Sequence, residues 1–180
     1  MACFPARDGQ TFKISLNPGH EWVYVPGRNG CHTGNRAEVR TLNLAADEAR
    51  QRFTEAAVAR LATVGAAGQP HLVPVTFAVD GDRIYTAVDA KPKTTANLRR
   101  LRNIAGNPQV AVLADHYEED WDGLWWVRAD GVASVLGQPA DMAGPLRLLA
   151  ARYPQYRASP PAGPVISVQV ARWSGWAAAG

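Results

Sequence analysis

The chain has 180 residues, 47% hydrophobic and 19% charged, a composition that fits one folded core and excludes the disordered class. Its formal net charge of +3 favours anionic ligands slightly and is far too small to argue for nucleic acid. Cys3 and Cys31 make no disulfide framework, and neither a leader pattern nor a long apolar run is present, so a cytoplasmic protein with no membrane or nucleic-acid partner is expected.

Residues 1–42 are rich in Gly, Pro and Asn and show no sustained period; they read as an irregular N-terminal extension, with a short strand at 22–25. His20, Cys31 and His32 match no common zinc spacing, and no metal site is expected. The ordered domain begins near Leu42 and spans 43–180. Asp47 is positioned to cap a helix over 46–59, whose inner face carries Phe53, Ala56 and Ala57. A short strand at 60–64 follows, and Gly65 to Gly68 turns the chain back.

From His71 to Val79 the residues alternate, with Val73, Val75, Phe77 and Val79 on the buried face. Pro74 cannot donate to a ladder, so this strand is expected at an edge, leaving backbone groups near Val75 free for a ligand; a proline-protected edge with no ligand fits the same residues. Asp80-Gly81 predicts a type I′ hairpin into a strand at 83–88. Lys91, Lys93, Thr94 and Thr95 then lead into a basic helix carrying Arg99, Arg100 and Arg102, with no acid between Lys91 and Gly106. Thr94 or Thr95 as cap, with lysines beside the positive helix end, describes a phosphate site. A basic solvated helix after an ordinary strand fits the local pattern equally, and the spacing leaves both open.

Leu98, Leu101 and Ile104 or Ala105 form the inner face of that helix, which Asn107-Pro108 stops. A strand at 109–115, an acidic loop at 116–123 and a long strand at 124–136 come next. On the long strand Gly131 marks a bend or close approach. Residues 142–153 read as a helix, 154–164 as a loop and 165–173 as the closing strand. Hairpin-connected strands with short inserted helices make a mainly β, α+β chain folded as a small antiparallel barrel.

The order and spacing of several motifs resemble the split β-barrel family of pyridoxine 5′-phosphate oxidase-like flavoproteins, and within it the branch using the deazaflavin coenzyme F-420. They are Ala59 to Val64, Gly68-Gln-Pro-His-Leu-Val-Pro-Val-Thr-Phe77, Lys91-Pro-Lys-Thr-Thr with Asn97-Leu-Arg-Arg-Leu, Asn107 to Leu113, Asp115 to Trp121, and Leu124-Trp-Trp-Val-Arg128. The resemblance spans about 43–176. It implies an FMN-binding-like split barrel, a homodimer with the cofactor in a cleft between subunits, and hydride transfer to a small-molecule substrate. It assigns the cofactor phosphate to Lys91, Lys93, Thr94 and Thr95, assisted by Asn97 and Arg100. Val73, Pro74, Val75 and Thr76 are implied to run beside the ring, with Trp125 and Trp126 covering it from the partner subunit; packing in the core and interface fits the two tryptophans as well.

Deazaflavin coenzyme F-420 is the cofactor expected and FMN the alternative, since both carry a phosphorylated ribityl chain. Arg99 and Arg102 suit the acidic tail of the deazaflavin. The basic C-terminal motif of the pyridoxine phosphate oxidases is missing from Val170-Ala-Arg-Trp-Ser-Gly-Trp176. His116 and Tyr117 are candidate general acids, with water able to serve instead. A module that binds deazaflavin, flavin or haem without turnover is the alternative from another class.

Overall fold

The computed structural model describes residues 15–16, 22–23, 43–88 and 98–178, and the chain divides into two compact units, 1–39 and 40–180. In the first unit β1 (Ser15–Leu16) pairs antiparallel with β2 (Trp22–Val23).

The second unit opens with α1 (Ala46–Glu55), which buries Ala49 and Phe53 one turn apart and keeps Glu48 and Arg52 outward in an ion pair at 3.2 Å. It starts after Ala45 with no side-chain cap; Asp47, expected as the cap, pairs instead with Arg50 at 3.3 Å. The helix also ends at Glu55, short of residue 59, because Ala59 is already the first residue of β3 (Ala59–Val64). Ala56 is therefore half-buried in the connection, and Ala57 is exposed.

The remaining strands are β4 (Pro70–Val75), β5 (Ala78–Asp80), β6 (Arg83–Ala87), β7 (Gln109–His116), β8 (Trp125–Leu136) and β9 (Val165–Ala177). With β3 they form one antiparallel seven-stranded sheet in the order β4-β3-β7-β8-β9-β6-β5, curled into a split barrel. Helix α2 (Arg99–Gly106) precedes β7, and α3 (Pro139–Arg152) with α4 (Pro154–Ala158) precedes β9. The inner faces of the strands, with Phe53 of α1 and Ile104 of α2, make the core. Phe53 sits against Phe77 and Trp173 with ring centroids 4.8 and 5.2 Å away, and full burial of each phenylalanine contributes about 2–3 kcal/mol.

Several expected elements are redrawn. The single strand over 71–79 is two, because the chain turns a corner at Thr76-Phe77; alternation breaks there, so Phe77 and Ala78 are both buried. This corner joins the first and last strands of the sheet. The hairpin after it pairs Asp80 with Arg83, so its loop is Gly81-Asp82 rather than Asp80-Gly81, with Gly81 at φ +58° in the first loop position. Helix α2 starts after Leu98, whose side chain cannot cap it; Thr94 and Thr95, expected as caps, lie outside the described residues, and Asn103 is buried with Ile104 while Ala105 is exposed. The segment expected as a loop at 154–164 contains α4, and β9 runs four residues past Trp173.

That extension of β9 depends on a bulge. Asp130 faces Arg172 while Gly131 faces Val170, so Ala171 is the extra residue. Before it Ile166, Val168 and Val170 are buried; after it the inward set shifts to Trp173, Gly175 and Ala177. Gly131 is the close approach expected: a Cβ there would lie 2.3 Å from the Gln169 carbonyl oxygen.

Candidate functional site

Strand β4 lies at the sheet edge, paired on one side with β3 and on the other with no strand among the described residues. Pro74 fits this place, where a missing N–H costs least. Val73 and Val75 turn inward against the core, and Leu72 and Pro74 face out, so what β4 offers a ligand is its backbone edge. Thr76, at the corner, has its hydroxyl 2.7 Å from that of Tyr156. The neighbouring Tyr153 hydroxyl accepts from the Phe77 N–H at 3.1 Å and lies 3.0 Å from both the Phe77 and Ala57 carbonyl oxygens. Arg152 stacks over the Phe77 ring at 4.5 Å and donates to the Ala56 carbonyl. The end of α3 and start of α4 thus hold the corner in place.

The opposite end of β4 is cationic. His71 is the ladder partner of Thr63, whose hydroxyl lies 3.5 Å from its Nδ1 and accepts at 3.0 Å from Asn103 of α2. Burial, reinforced by Arg99 and Arg100, pushes the His71 pKa below its ordinary value. Arg99 is exposed and Arg100 half-buried. Between this end and Thr76 lie five residues of edge strand, about 16 Å at ~3.3 Å per residue. Lys91, Lys93, Thr94, Thr95 and Asn97, on which the expected phosphate cradle rests, lie outside the described residues.

The aromatic candidates are divided. Trp125 and Trp126 are neighbours on β8 and project to opposite faces. Trp125 packs against the core and lines a cleft of about 440 Å³ with Glu48, Gln51, Arg52, Glu55 and Ala56. Its ladder partner His116 stacks on it at 6.4 Å, with Nε2 3.4 Å from Glu118. Tyr117 is 71% exposed. Trp126 is on the outer face between its ladder partners Asp115 and Trp176. That face also carries the Arg60–Asp115 ion pair and Asp130 clasped by Arg128 and Arg172, each at 2.9 Å.

Within one chain, then, Val73 to Thr76 and Arg100 share the open edge and its cationic end, Trp125 lines a cleft beside α1 with His116 stacked on its ring, and Trp126 faces outward. Missed in the sequence were Arg152 and Tyr153, which end an expected helix with nothing local to show their partners, and Tyr156, hidden because Pro154 marks a helix stop and the segment after it read as a loop. Thr63 and Asn103 were missed because a polar residue on an inward position carries no period of its own. Among the described residues no group of His, Cys, Asp or Glu is placed to hold a metal, and no helix is long and apolar enough to cross a membrane.

Among solved structures, an FAD-binding protein of Mesorhizobium loti is similar in fold, at 21% identity and a TM-score of 0.58 over 74% of this chain and 94% of that one. The haem storage protein HutZ of Vibrio cholerae is similar at 18% identity and a TM-score of 0.57, over 74% and 95%. In sequence, 56 residues are 43% identical to the 5a,11a-dehydrotetracycline/5a,11a-dehydrooxytetracycline reductase of Streptomyces rimosus, a match covering 31% of this chain and 38% of that enzyme. The chain therefore matches little more than a third of the reductase's length. The family model for pyridoxamine 5′-phosphate oxidase matches residues 45–177, which takes in every strand of the barrel. This chain belongs to the pyridoxamine 5′-phosphate oxidase family.

Proposed function

We propose that the protein is an oxidoreductase that binds the deazaflavin coenzyme F-420 along the open edge of β4, in a cleft completed by a second copy, and reduces a small organic acceptor. The observation that carries this reading is the arrangement of β4 itself. One strand presents a backbone edge that no strand pairs among the described residues, with cations at its His71 end and a braced corner at Thr76. A molecule with a phosphorylated tail and a polar-edged planar ring has those two requirements in that order. Lys91, Lys93, Thr94, Thr95, Asn97 and Arg100 are assigned to the tail, and Val73 to Thr76 to the ring edge.

When bound, the deazaflavin supplies the hydride chemistry; the protein's part is to hold, orient and shield. The β4 backbone fixes the ring edge, and the inward Val73 and Val75 keep the strand seated on the core. Because Trp125 and Trp126 face opposite ways, the outward Trp126 is the one assigned to cover a ring held by the partner subunit. His116, beside Trp125, or water delivers the proton that completes reduction. Similarity to a reductase acting on a dehydrotetracycline supports an activated double bond as the acceptor.

Titration of the full chain with coenzyme F-420 and with FMN, followed by absorbance, tests the reading. Coenzyme F-420 is expected to bind more tightly, and its reduced form to be oxidised in the presence of an enone. Changing Lys91 and Lys93 together to Ala is expected to weaken binding at least tenfold with an unchanged circular dichroism spectrum. Unaltered affinity in that variant removes the phosphate assignment, and failure of both cofactors to bind overturns the function.

A further inference from the structure

Charge is sorted along the middle of the chain. From Ala90 to Ala114 there are cations and no acid; from Asn103 to Val127 there are acids and no Lys or Arg. The ladders turn this order into distance. Arg60 lies opposite both Pro74 and Leu113, and Ala62 opposite both Leu72 and Ala111, so the Gln109 end of β7 is level with the His71 end of β4. Helix α2 is tied to that end by Asn103, whose amide donates to Thr63, the ladder partner of His71. Arg99 and Arg102 of α2 are exposed, with no ion pair or hydrogen bond among the described residues. The far end of β7 leads into the β7–β8 turn, about 20 Å away at ~3.3 Å per residue.

That turn is ordered and acidic. Asp120 accepts from the Asp122 N–H at 3.1 Å, Trp121–Gly123 close a 3-10 turn, and the Glu118 carboxylate lies over the bare backbone of Gly123, where a Cβ would collide with it. Glu119 and Asp122 have no partner among the described residues. Tyr117 and Trp121 are 71% and 73% exposed, and the next most exposed large apolar side chain is Leu72 at 62%, on the outer face at the cationic end of β4. Each end of this face thus joins exposed apolar surface to free charge, and the two charges are opposite.

We infer that two copies pack outer face to outer face with their strands antiparallel, so that the acidic turn of each meets α2 and Leu72 of the partner subunit. The inference rests on the reading of a cleft completed by a second copy, and it names what that copy brings: Trp121, delivered to the open edge of β4. Symmetry allows two arrangements, because the two-fold axis of a face-to-face pair lies along the strands or across them. The first sets acidic turn on acidic turn and arginines on arginines. The second sets each acidic turn on a cationic end, twice over. Exposed ion pairs add little affinity, so burial of Trp121, Tyr117 and Leu72 drives association while charge chooses the orientation. Arg99 and Arg102 are thereby assigned to the partner's acidic turn rather than to a cofactor tail. The same orientation carries the outward Trp126, level with Asp115 near the turn, toward the β4 edge of the other copy.

Sedimentation equilibrium of the full chain tests this by exchanging charge. Glu119→Arg with Asp122→Arg makes the free charges of both ends positive, and Arg99→Glu with Arg102→Glu makes them negative. Each double variant is expected to weaken pairing about tenfold or more, with an unchanged circular dichroism spectrum. All four changes in one chain restore opposite signs, and that chain is expected to pair within about threefold of wild type, as is an equal mixture of the two double variants. Trp121→Ala is expected to weaken pairing about tenfold or more. A four-site chain no tighter than its parents, a double variant that pairs like wild type, or an undiminished Trp121→Ala pair overturns the inference, and so does a wild-type chain that stays monomeric. Pairing with the expected charge pattern in a protein that binds neither FMN nor coenzyme F-420 upholds the contact and overturns the cofactor reading. Cofactor binding by a chain that fails the exchange does the reverse.

Discussion

Gly131 shows how one residue sets the path of two strands. Its missing side chain lets β8 and β9 approach where Ala171 is added, and the added residue reverses the alternation of β9 so that Trp173 turns toward Phe53. Gly131→Ala would place a Cβ 2.3 Å from a backbone oxygen, which only movement of the strand can relieve. A loss of about 1–3 kcal/mol is expected from urea unfolding. Gly137→Ala, which meets nothing within 4 Å, is the control and is expected to change stability by no more than about 0.5 kcal/mol. The sequence exposed Gly131 as a close approach because a glycine interrupts the otherwise apolar face of a long strand. It concealed the consequence for β9, because period-2 reading assumes that no residue is inserted, and Val170 to Trp173 break that assumption.

At the scale of elements, the barrel strands were legible wherever both sides of an alternating run stayed in one ladder, as in β3, β7 and β8. They were misread where the chain left a ladder without leaving the core. Thr76-Phe77 is such a place: Phe77 continues the apolar pattern of β4 although the strand has ended, and tertiary packing overrides the period. The tyrosines that brace this corner belong to a segment 76 to 80 residues later, and local pattern carries no sign of them. Tyr153→Phe deletes the hydroxyl that serves the Phe77 N–H and one of two carbonyls. A loss of about 1–3 kcal/mol is expected, with faster hydrogen exchange of the Phe77 amide showing that the effect is at the corner. Unchanged exchange at that amide would mean that the corner is held by packing of Phe77 alone.

For the whole molecule, the fold class was legible because hairpin signals, strand lengths and interspersed helices agree, and family membership follows from a match across the complete barrel. Of the candidate site, what the sequence made legible was the edge position of β4, through Pro74. Val73 to Thr76 lie on the open edge and Arg100 at its cationic end, whereas Trp125 and Trp126 are parted by the two-faced geometry of a strand. Subunit pairing was inferred through resemblance, because sequence pattern distinguishes an outer sheet face from a solvent-facing one only by how apolar it is. Here that face mixes Leu72, Ala62, Leu113 and Trp126 with ion pairs. If two copies meet through it, Leu72→Asp is expected to halve the mass seen by sedimentation equilibrium and to weaken cofactor binding at least tenfold. A monomeric wild-type protein that binds cofactor at full strength would show that one chain completes the cleft.

The sheet's two borders are consecutive in the chain, separated by only Thr76 and Phe77. Strands tethered so closely cannot part at that end, so any gap between them widens only with distance from the tether. Such an opening is a wedge with a fixed apex. Thr76, its hydroxyl 2.7 Å from that of Tyr156, stands at that apex.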